Sequence, residues 1–273
     1  MRLRKLRVLL LSVCIVLLCR RAAALETFAV FKDPKGDDAG AGGLLYPAHG
    51  VYVPGLFDLL QFSLSSDSDH LYFDFQFAAL TNPFQAPEGY FHQRLEVYVH
   101  TGTRLGRTEV EIGGWTFQTA PELGWDLRLS VAPFGETRLY AVGEENRVQV
   151  FSEGVTSYSR PENGTIRVQV SSDLLPQPDS AWGYYVLTGS FDGLAADFWR
   201  DLGEGPWQLR GEGPPVFDLL APRFGRNSQR AQLRTGVLHP VVSRKVSSAP
   251  WLTVLSAVIL LVGTFGLWRW RRG

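Results

Sequence analysis

The chain has 273 residues and no net formal charge, with 27 Lys and Arg residues against 27 Asp and Glu residues. Nine cations lie in the terminal segments 2–21 and 269–272, whereas every acidic residue lies between these segments. The part between the ends therefore has a net charge of −9, which argues against nucleic acid and anionic membrane surfaces as its partners. Both cysteines, Cys14 and Cys19, lie in the N-terminal segment, so no disulfide framework is expected in the rest of the chain.

The N-terminus has the pattern of a secretory signal peptide. A basic stretch that includes Lys5 precedes an apolar run over 8–19, and the alanines at 22–24 supply small residues for cleavage. The apolar run is too short to span a hydrocarbon core of about 30 Å. We therefore predict that residues 1–24 are a cleaved signal peptide.

An acidic and glycine-rich block follows the first predicted strand. Asp33, Asp37 and Asp38 lie within six residues, and four glycines lie between positions 36 and 43. Ca²⁺ prefers roughly six to eight oxygen ligands, and a glycine-rich loop can turn its carbonyl groups towards such an ion. The block predicts a structural calcium site, with a network of Asx turns as the alternative that the sequence leaves open.

The middle of the chain has the alternation of half-buried strands. Apolar and polar residues alternate with a period of two over 71–77, 95–100, 127–131 and 166–170. Further candidate strands are 27–32, 57–64, 107–112, 136–143, 146–152 and 182–190. Many short strands with turn residues between them are typical of an antiparallel β-sandwich, so we predict an all-β domain over 25–236.

Four tryptophans of this domain are candidates for carbohydrate binding. The apolar face of a pyranose packs on an aromatic plane, while nearby polar groups bond its hydroxyls. Trp115 and Trp125 each follow a glycine near a predicted loop, and Trp199 and Trp207 flank a loop rich in glycine and glutamate. Ordinary packing is the alternative interpretation for each of these rings.

The C-terminus has the pattern of a membrane anchor. A short stalk is predicted over 237–249, and a transmembrane helix over 250–268 contains an uninterrupted apolar run. The basic tail 269–273 is expected in the cytoplasm by the positive-inside rule. The sequence therefore predicts a single-pass protein of the cell membrane whose main domain is extracellular.

The acidic block also carries a resemblance to a known family. Residues 31–47 read Phe-Lys-Asp-Pro-Lys-Gly-Asp-Asp-Ala-Gly-Ala-Gly-Gly-Leu-Leu-Tyr-Pro, and the Pro-Gly-Leu-Phe-Asp-Leu stretch follows at 54–59. This arrangement resembles the C-terminal domain of glucodextranase, a DOMON-like sandwich related to family 9 carbohydrate-binding modules. Segments 93–99 and 218–222 fit the same resemblance, which spans about 26–235.

The resemblance implies a non-catalytic module that binds α-glucan or an envelope glycan at the cell surface. The alternative is an envelope-structural domain that binds an S-layer, a wall polymer or another protein. No His-Glu-x-x-His or Gly-x-Ser-x-Gly pattern is present, so we predict that the protein is not an enzyme. A haem-binding DOMON domain is disfavoured because Met1 is the only methionine, which removes the usual Met/His axial pair.

Overall fold

The computed structural model of the protein describes residues 25–102 and 106–243. The predicted signal peptide 1–24, the end of the predicted stalk, the predicted transmembrane helix 250–268 and the tail lie outside these residues. Within the described residues, no helix is both long enough and apolar enough to cross a membrane.

The described residues form fifteen strands, one α-helix and three 3₁₀ turns. The strands are Glu26–Lys32 (β1), Leu59–Ser66 (β2), His70–Phe77 (β3), Gln93–His100 (β4), Glu109–Ile112 (β5), Trp115–Thr119 (β6), Leu127–Val131 (β7), Arg138–Val142 (β8), Val148–Phe151 (β9), Val155–Arg160 (β10), Thr165–Ser171 (β11), Gly183–Ser190 (β12), Val216–Leu219 (β13), Val237–Leu238 (β14) and Val241–Val242 (β15). The helix α1 is Gln229–Thr235, and the 3₁₀ turns are Pro121–Leu123, Glu144–Asn146 and Pro161–Asn163.

The strands build two large sheets and one small sheet. The five-stranded sheet has the order β1-β2-β3-β11-β10, and the larger sheet has the order β13-β12-β4-β7-β8-β9 with β15 also paired to β12. The small sheet has the order β14-β6-β5, and its β14–β6 pair is parallel. The other strand pairs are antiparallel, which confirms the predicted all-β antiparallel sandwich.

The main core lies between the two large sheets. Phe73 and Phe75 of β3 alternate with half-buried polar residues, so one face of the strand packs inward. Val97 of β4 and Val186 of β12 meet them from the opposite sheet. These strands confirm the period-two interpretation, because each apolar position lies on the buried face.

A second core covers part of the outer face of the larger sheet. Tyr185 of β12 packs there with Ile112 and Phe117 of the small sheet and with Leu233 of α1. Every residue of β12 is buried as a result, which explains why its sequence reads as a continuous rather than an alternating run. This second layer holds the β5–β6 hairpin against the larger sheet.

In the structure, the domain ends later in the chain than residue 236, the boundary predicted from the sequence. Strands β14 and β15 lie within 237–249, the segment that the sequence analysis assigns to a stalk. Because β14 pairs with β6 and β15 pairs with β12, the domain extends beyond residue 236. Strands this short offer too few residues for an alternating pattern to be recognised.

Candidate functional site

A row of side chains crosses the outer face of the larger sheet, from the buried Tyr98 of the second core to the exposed Val150. The strand register places Tyr98, Arg128, Tyr140 and Val150 side by side on β4, β7, β8 and β9. The Arg128 guanidinium lies 5.6 Å from the centre of the Tyr98 ring and 4.9 Å from the centre of the Tyr140 ring. The register therefore produces a floor in which a cation lies between two aromatic rings.

The β5–β6 hairpin forms a wall beside this floor. Tyr98 donates a hydrogen bond from its hydroxyl to the Glu111 carbonyl oxygen (3.2 Å), which ties the wall to the sheet. Trp115 begins β6 and is 48 % exposed. We use the name trough for the depression lined by Arg107, Glu109, Glu111, Trp115, Arg128 and Tyr140.

The trough is elongated. It consists of a hollow of about 360 Å³ beside Trp115, a hollow of about 220 Å³ over Tyr140, and a hollow of about 640 Å³ that reaches Asn146. The first two hollows share Arg128, and the last two share Glu109. Adjoining hollows along one strip of the surface suit a chain-like ligand better than a compact one.

A buried ionic group on the same face of the sheet fixes one side of the floor of the trough. Glu96 has no exposed surface and accepts hydrogen bonds from Arg128 Nε (2.7 Å) and Nη2 (2.6 Å) and from Arg94 Nη2 (2.6 Å). Burial opposes ionisation of Glu96, but the charges of Arg94 and Arg128 outweigh it and hold the pKa of that carboxyl below its usual range. The paired carboxylate therefore fixes the position of the Arg128 guanidinium.

Two of the four predicted tryptophans present no ring face to solvent. Trp125 is 5 % exposed, because the Arg107 guanidinium covers its ring at 5.5 Å and its Nε1 donates to the Glu109 carbonyl oxygen (2.7 Å). Trp199 is 1 % exposed and packs so closely on Gly189 that a Cβ there would lie 2.0 Å from the ring. This burial favours the packing interpretation that the sequence left open as the alternative for both rings.

The fourth tryptophan lies in a different place from Trp115. Trp207 stacks on His49 with 3.8 Å between ring centres and belongs to a group of rings from several loops, of which Phe191 is buried and the others are half-buried or exposed. We use the name aromatic cluster for His49, Phe84, Phe91, Phe134, Phe191, Phe198 and Trp207. The structure thus places the exposed Trp115 and the half-buried Trp207 on two different surfaces.

An acidic cluster lies where the first loop meets β13. Carboxylate oxygens of Asp33, Asp37 and Asp218 lie within 4.8 Å of one another. Asp33 Oδ2, Asp37 Oδ1 and Asp218 Oδ1 are buried and have no hydrogen-bond partner within the described residues. Three carboxyl oxygens without hydrogen-bond partners within the described residues, close to one another, fit a hard divalent cation, which favours the ionised form of such ligands.

Burial and mutual repulsion disfavour the charged form of all three carboxyls. Burial raises the pKa of Asp33 to about 8 and that of Asp37 to about 6, with neighbouring carboxylates adding to the burial effect. Burial and the charge of Asp33 raise the pKa of Asp218 well above its usual range. A cation at this point would reverse the effect, because it favours ionised ligands.

The remaining predicted ligand, Asp38, lies outside the acidic cluster. Its carboxylate accepts a hydrogen bond from the Tyr46 hydroxyl, which also accepts from the Phe57 amide (3.0 Å). Asp58 holds the same loop by accepting two hydrogen bonds from the Gly36 amide (3.0 and 3.1 Å). These contacts are of the loop-fixing type that the sequence analysis gave as the alternative to calcium.

Asp218 was not predicted as a ligand from the sequence, although it lies in the segment 218–222 that fits the family resemblance. It reaches the acidic cluster because β13 pairs with β12 beside the first loop, and its Oδ2 accepts from the Leu59 amide (2.8 Å). Arg128 and Tyr140 were also missed, since only the pairing of β7 with β8 brings them together. The sequence feature that could have indicated Arg128 and Tyr140 as site residues is the polar position that each occupies on an alternating strand.

Comparison with known proteins finds a family match over most of the chain. Residues 28–237 match the family described as the C-terminal binding-module, SLH-like, of glucodextranase. No curated protein matches the chain. Among solved structures, a carbohydrate binding module family 9 from Caldicellulosiruptor kristjanssonii in complex with cellotriose is similar at a TM-score of 0.26 and 10 % identity, over 71 % of this chain and 81 % of that chain. That similarity is too distant to carry an argument, but the family match covers most of the sequence, and the chain belongs to the family of glucodextranase C-terminal binding modules.

Proposed function

We propose that the protein is a non-catalytic module of the cell surface that binds a carbohydrate polymer, an α-glucan or an envelope glycan, in the trough. The observation that supports this most directly is the exposed Trp115 ring beside the fixed Arg128 and Tyr140 floor. The family description as a binding module supports a binding role and makes α-glucans the first probes to use.

The chemistry of the trough suits a neutral sugar chain. Trp115 and the half-buried Tyr140 offer aromatic surface to the apolar faces of pyranose rings. Arg128 uses Nε and Nη2 on Glu96, and its Nη1 makes no hydrogen bond within the described residues, so this group can donate to a hydroxyl. Glu111 lies opposite and can accept. Because cations and acids alternate along the walls, the trough has no strong preference for an anionic ligand.

Affinity electrophoresis of the full chain in a neutral detergent tests this proposal. Gels would contain starch, pullulan, dextran or cell-wall polysaccharide, with Ca²⁺ or with EDTA. We expect at least one polymer to retard the protein, and we expect Trp115→Ala and Tyr140→Ala to lose the retardation. Trp207→Ala is the matched control and should keep it. A folded protein that no polymer retards would contradict the proposal.

We further propose that the acidic cluster holds one structural Ca²⁺. Asp33, Asp37 and Asp218 would supply ligand oxygens, and the ion would neutralise most of their charge. The ion would join the first loop to β13 and so stabilise the packing of the segment from which β2 begins. It lies outside the trough, so its role would be structural rather than direct contact with sugar.

We also propose that residues 250–268 anchor the protein in the cell membrane as a single span. The apolar run and the arginines at 269, 271 and 272 support this orientation, with the main domain outside. Protease treatment of intact cells tests it, since a tag at residue 273 should stay protected while the domain is degraded. Release of the protein by alkaline carbonate would contradict the anchor.

A protein-interaction role is the second candidate, and the aromatic cluster favours it. Phe84 and Phe134 are each 46 % exposed, and Leu194 of the same loop as Phe198 is 98 % exposed. Phe134 and Phe198 have φ values of 61° and 62°, a strained conformation that is often retained at functional sites. If Trp207→Ala removes polymer binding and Trp115→Ala does not, the aromatic cluster rather than the trough is the polymer site, and the protein-interaction role is contradicted.

A further inference from the structure

The negative charge of the domain is unevenly distributed. Asp218 is the last acidic residue of the chain, and the following residues 219–245 carry six cations. Four of these cations are exposed on the described domain, in the turn before α1 and on α1 itself. We use the name arginine strip for Arg223, Phe224, Arg226, Arg230 and Arg234. The otherwise acidic part of the chain therefore presents one basic surface, so the expectation that it avoids anionic membranes does not hold for this face.

An apolar side chain lies within this basic surface. Phe224 is 81 % exposed at the tip of the turn, where Gly225 has a φ of 99° that few other residues adopt. The Arg223 guanidinium lies 5.8 Å from the centre of the Phe224 ring. The glycine turn thus holds an aromatic ring out in solvent between Arg223 and Arg226, where nothing in the described domain covers it.

The charges of the strip are not neutralised by the domain. None of its four arginines forms an ion pair with the described residues. The charge of Arg223 acts on Asp37, which belongs to the acidic cluster. The Arg230 guanidinium lies over Gly42, and Glu212 packs on the neighbouring Gly43 without reaching pairing distance. The strip is therefore available to an anionic partner.

We propose that the arginine strip lies against the surface of an anionic bilayer, with Phe224 inserted among the lipid headgroups. Guanidinium groups bind lipid phosphates, and an aromatic ring is stable at the boundary between headgroups and acyl chains. Each arginine near such a surface contributes roughly fivefold to the affinity. The strip would hold one side of the domain against the membrane.

Chain length makes a membrane the natural partner, and this step rests on the proposed anchor. Seven residues separate Ser243 from Trp251, the first residue of the apolar run. Fully extended, they reach at most about 25 Å. The domain would thus be held permanently near lipid headgroups, where even a weak contact is favoured by a high effective concentration.

A fluorescent label at position 224 tests the proposal in the full chain. The labelled protein would carry Cys14→Ser, Cys19→Ser and Phe224→Cys with a solvatochromic dye, in nanodiscs of phosphatidylcholine with or without half phosphatidylglycerol. We expect a blue shift and protection from iodide only with phosphatidylglycerol, and loss of both in high salt. A dye at Leu194→Cys, in a loop of the aromatic cluster, is the control and should stay exposed.

Charge variants separate the strip from general electrostatics. Arg223→Gln, Arg226→Gln, Arg230→Gln and Arg234→Gln together should abolish the lipid dependence, whereas Arg147→Gln with Arg160→Gln should not.

A dye at 224 that is equally exposed on both membranes overturns the proposal. Shielding that appears only when a soluble anionic polysaccharide is added also overturns it and assigns the strip to that polymer. If the chain does not remain in nanodiscs, the proposed membrane anchor is contradicted. The fluorescence of the same dye with added vesicles of the two lipid compositions then still tests whether the arginine strip binds an anionic bilayer.

Discussion

Two buried groups of charged residues in this domain behave in opposite ways. Glu96 is enclosed by Arg94 and Arg128, and the pKa of its carboxyl is held below the usual range although burial opposes ionisation. Asp33 and Asp218 are buried without a cation, and the pKa of each carboxyl is raised. The residue type and the degree of burial are similar, so the neighbouring charges decide which form is stable.

This difference in neighbouring charges indicates whether each group requires a bound cation to be stable in its ionised form. Glu96 already has two cationic partners and needs none, and it serves to fix Arg128 in the floor of the trough. The acidic cluster has oxygens without partners within the described residues, so the cation that would stabilise its charged form has to be an added ion.

The largest effect is expected when Glu96 is removed. Glu96→Leu leaves Arg94 buried and without its carboxylate, and breaking a buried pair in this way costs about 3–5 kcal/mol of unfolding free energy. Urea denaturation measures the change. Glu145→Gln breaks an exposed pair with Arg147 and should change the unfolding free energy by less than about 1 kcal/mol. Equal effects from both variants would contradict the comparison.

Calcium should stabilise the protein through the acidic cluster. At 100 times its dissociation constant, Ca²⁺ should add about 2.7 kcal/mol to the unfolding free energy. Asp218→Asn should remove most of this gain, because it takes away a ligand charge. Asp38→Asn should keep it, because Asp38 bonds to Tyr46 instead. Thermal denaturation with Ca²⁺ and with EDTA measures both variants, and a larger loss in the Asp38 variant would contradict the assignment.

The pH dependence in EDTA sharpens the comparison further. The pKa of Asp33 is about 8 in the folded protein against an ordinary value of 3.8. The folded state therefore holds a proton that the unfolded state loses, so the contribution of Asp33 to stability is present below about pH 4 and declines as the pH rises towards 8.

A variant without this proton removes the titration of Asp33 and its effect on the pKa of Asp218. The unfolding free energy of Asp33→Asn in EDTA should rise relative to the parent between pH 4 and pH 8. With saturating Ca²⁺ the parent should be the more stable protein at pH 8. A difference between the two proteins that does not change with pH would contradict the raised pKa of Asp33.

The smallest effect on stability is expected at the rim of the trough. Trp115→Ala removes a ring that is 48 % exposed and should cost less than about 1 kcal/mol, while polymer binding is lost. Trp125→Ala removes a buried ring and should cost about 3–5 kcal/mol. Denaturation measures the unfolding free energy, and affinity gels measure polymer binding. If the Trp115 variant unfolds as easily as the Trp125 variant, both rings belong to the core.

The sequence predicts the sandwich better than the sites, for a physical reason. Alternation along 71–77 or 127–131 is local, and each strand is set by its own one-sided burial. Asp37 and Asp218 are 181 positions apart, and they meet only through the packing of the first loop on β13. Glycines beside Trp125 suggested an exposed loop, yet the β5–β6 hairpin and Arg107 bury the ring.

The trough could not be predicted from the sequence either. Arg128 and Tyr140 are ordinary polar-face residues of alternating strands, and only their pairing register creates a floor. The burial of Glu96 is equally hidden, because an acidic residue between apolar neighbours in a strand normally faces solvent. Here the second core covers β4, so both of its faces are buried.

Hydrogen exchange of the full chain, with and without the polysaccharide that retards it, tests the central claim most directly. If the polymer lies in the trough, the amides of Glu109–Ile112, Trp115–Thr119 and Arg138–Val142 should exchange more slowly when it is bound. Protection confined to the loops around Phe84 and Trp207 would contradict the account and assign the binding site to the aromatic cluster.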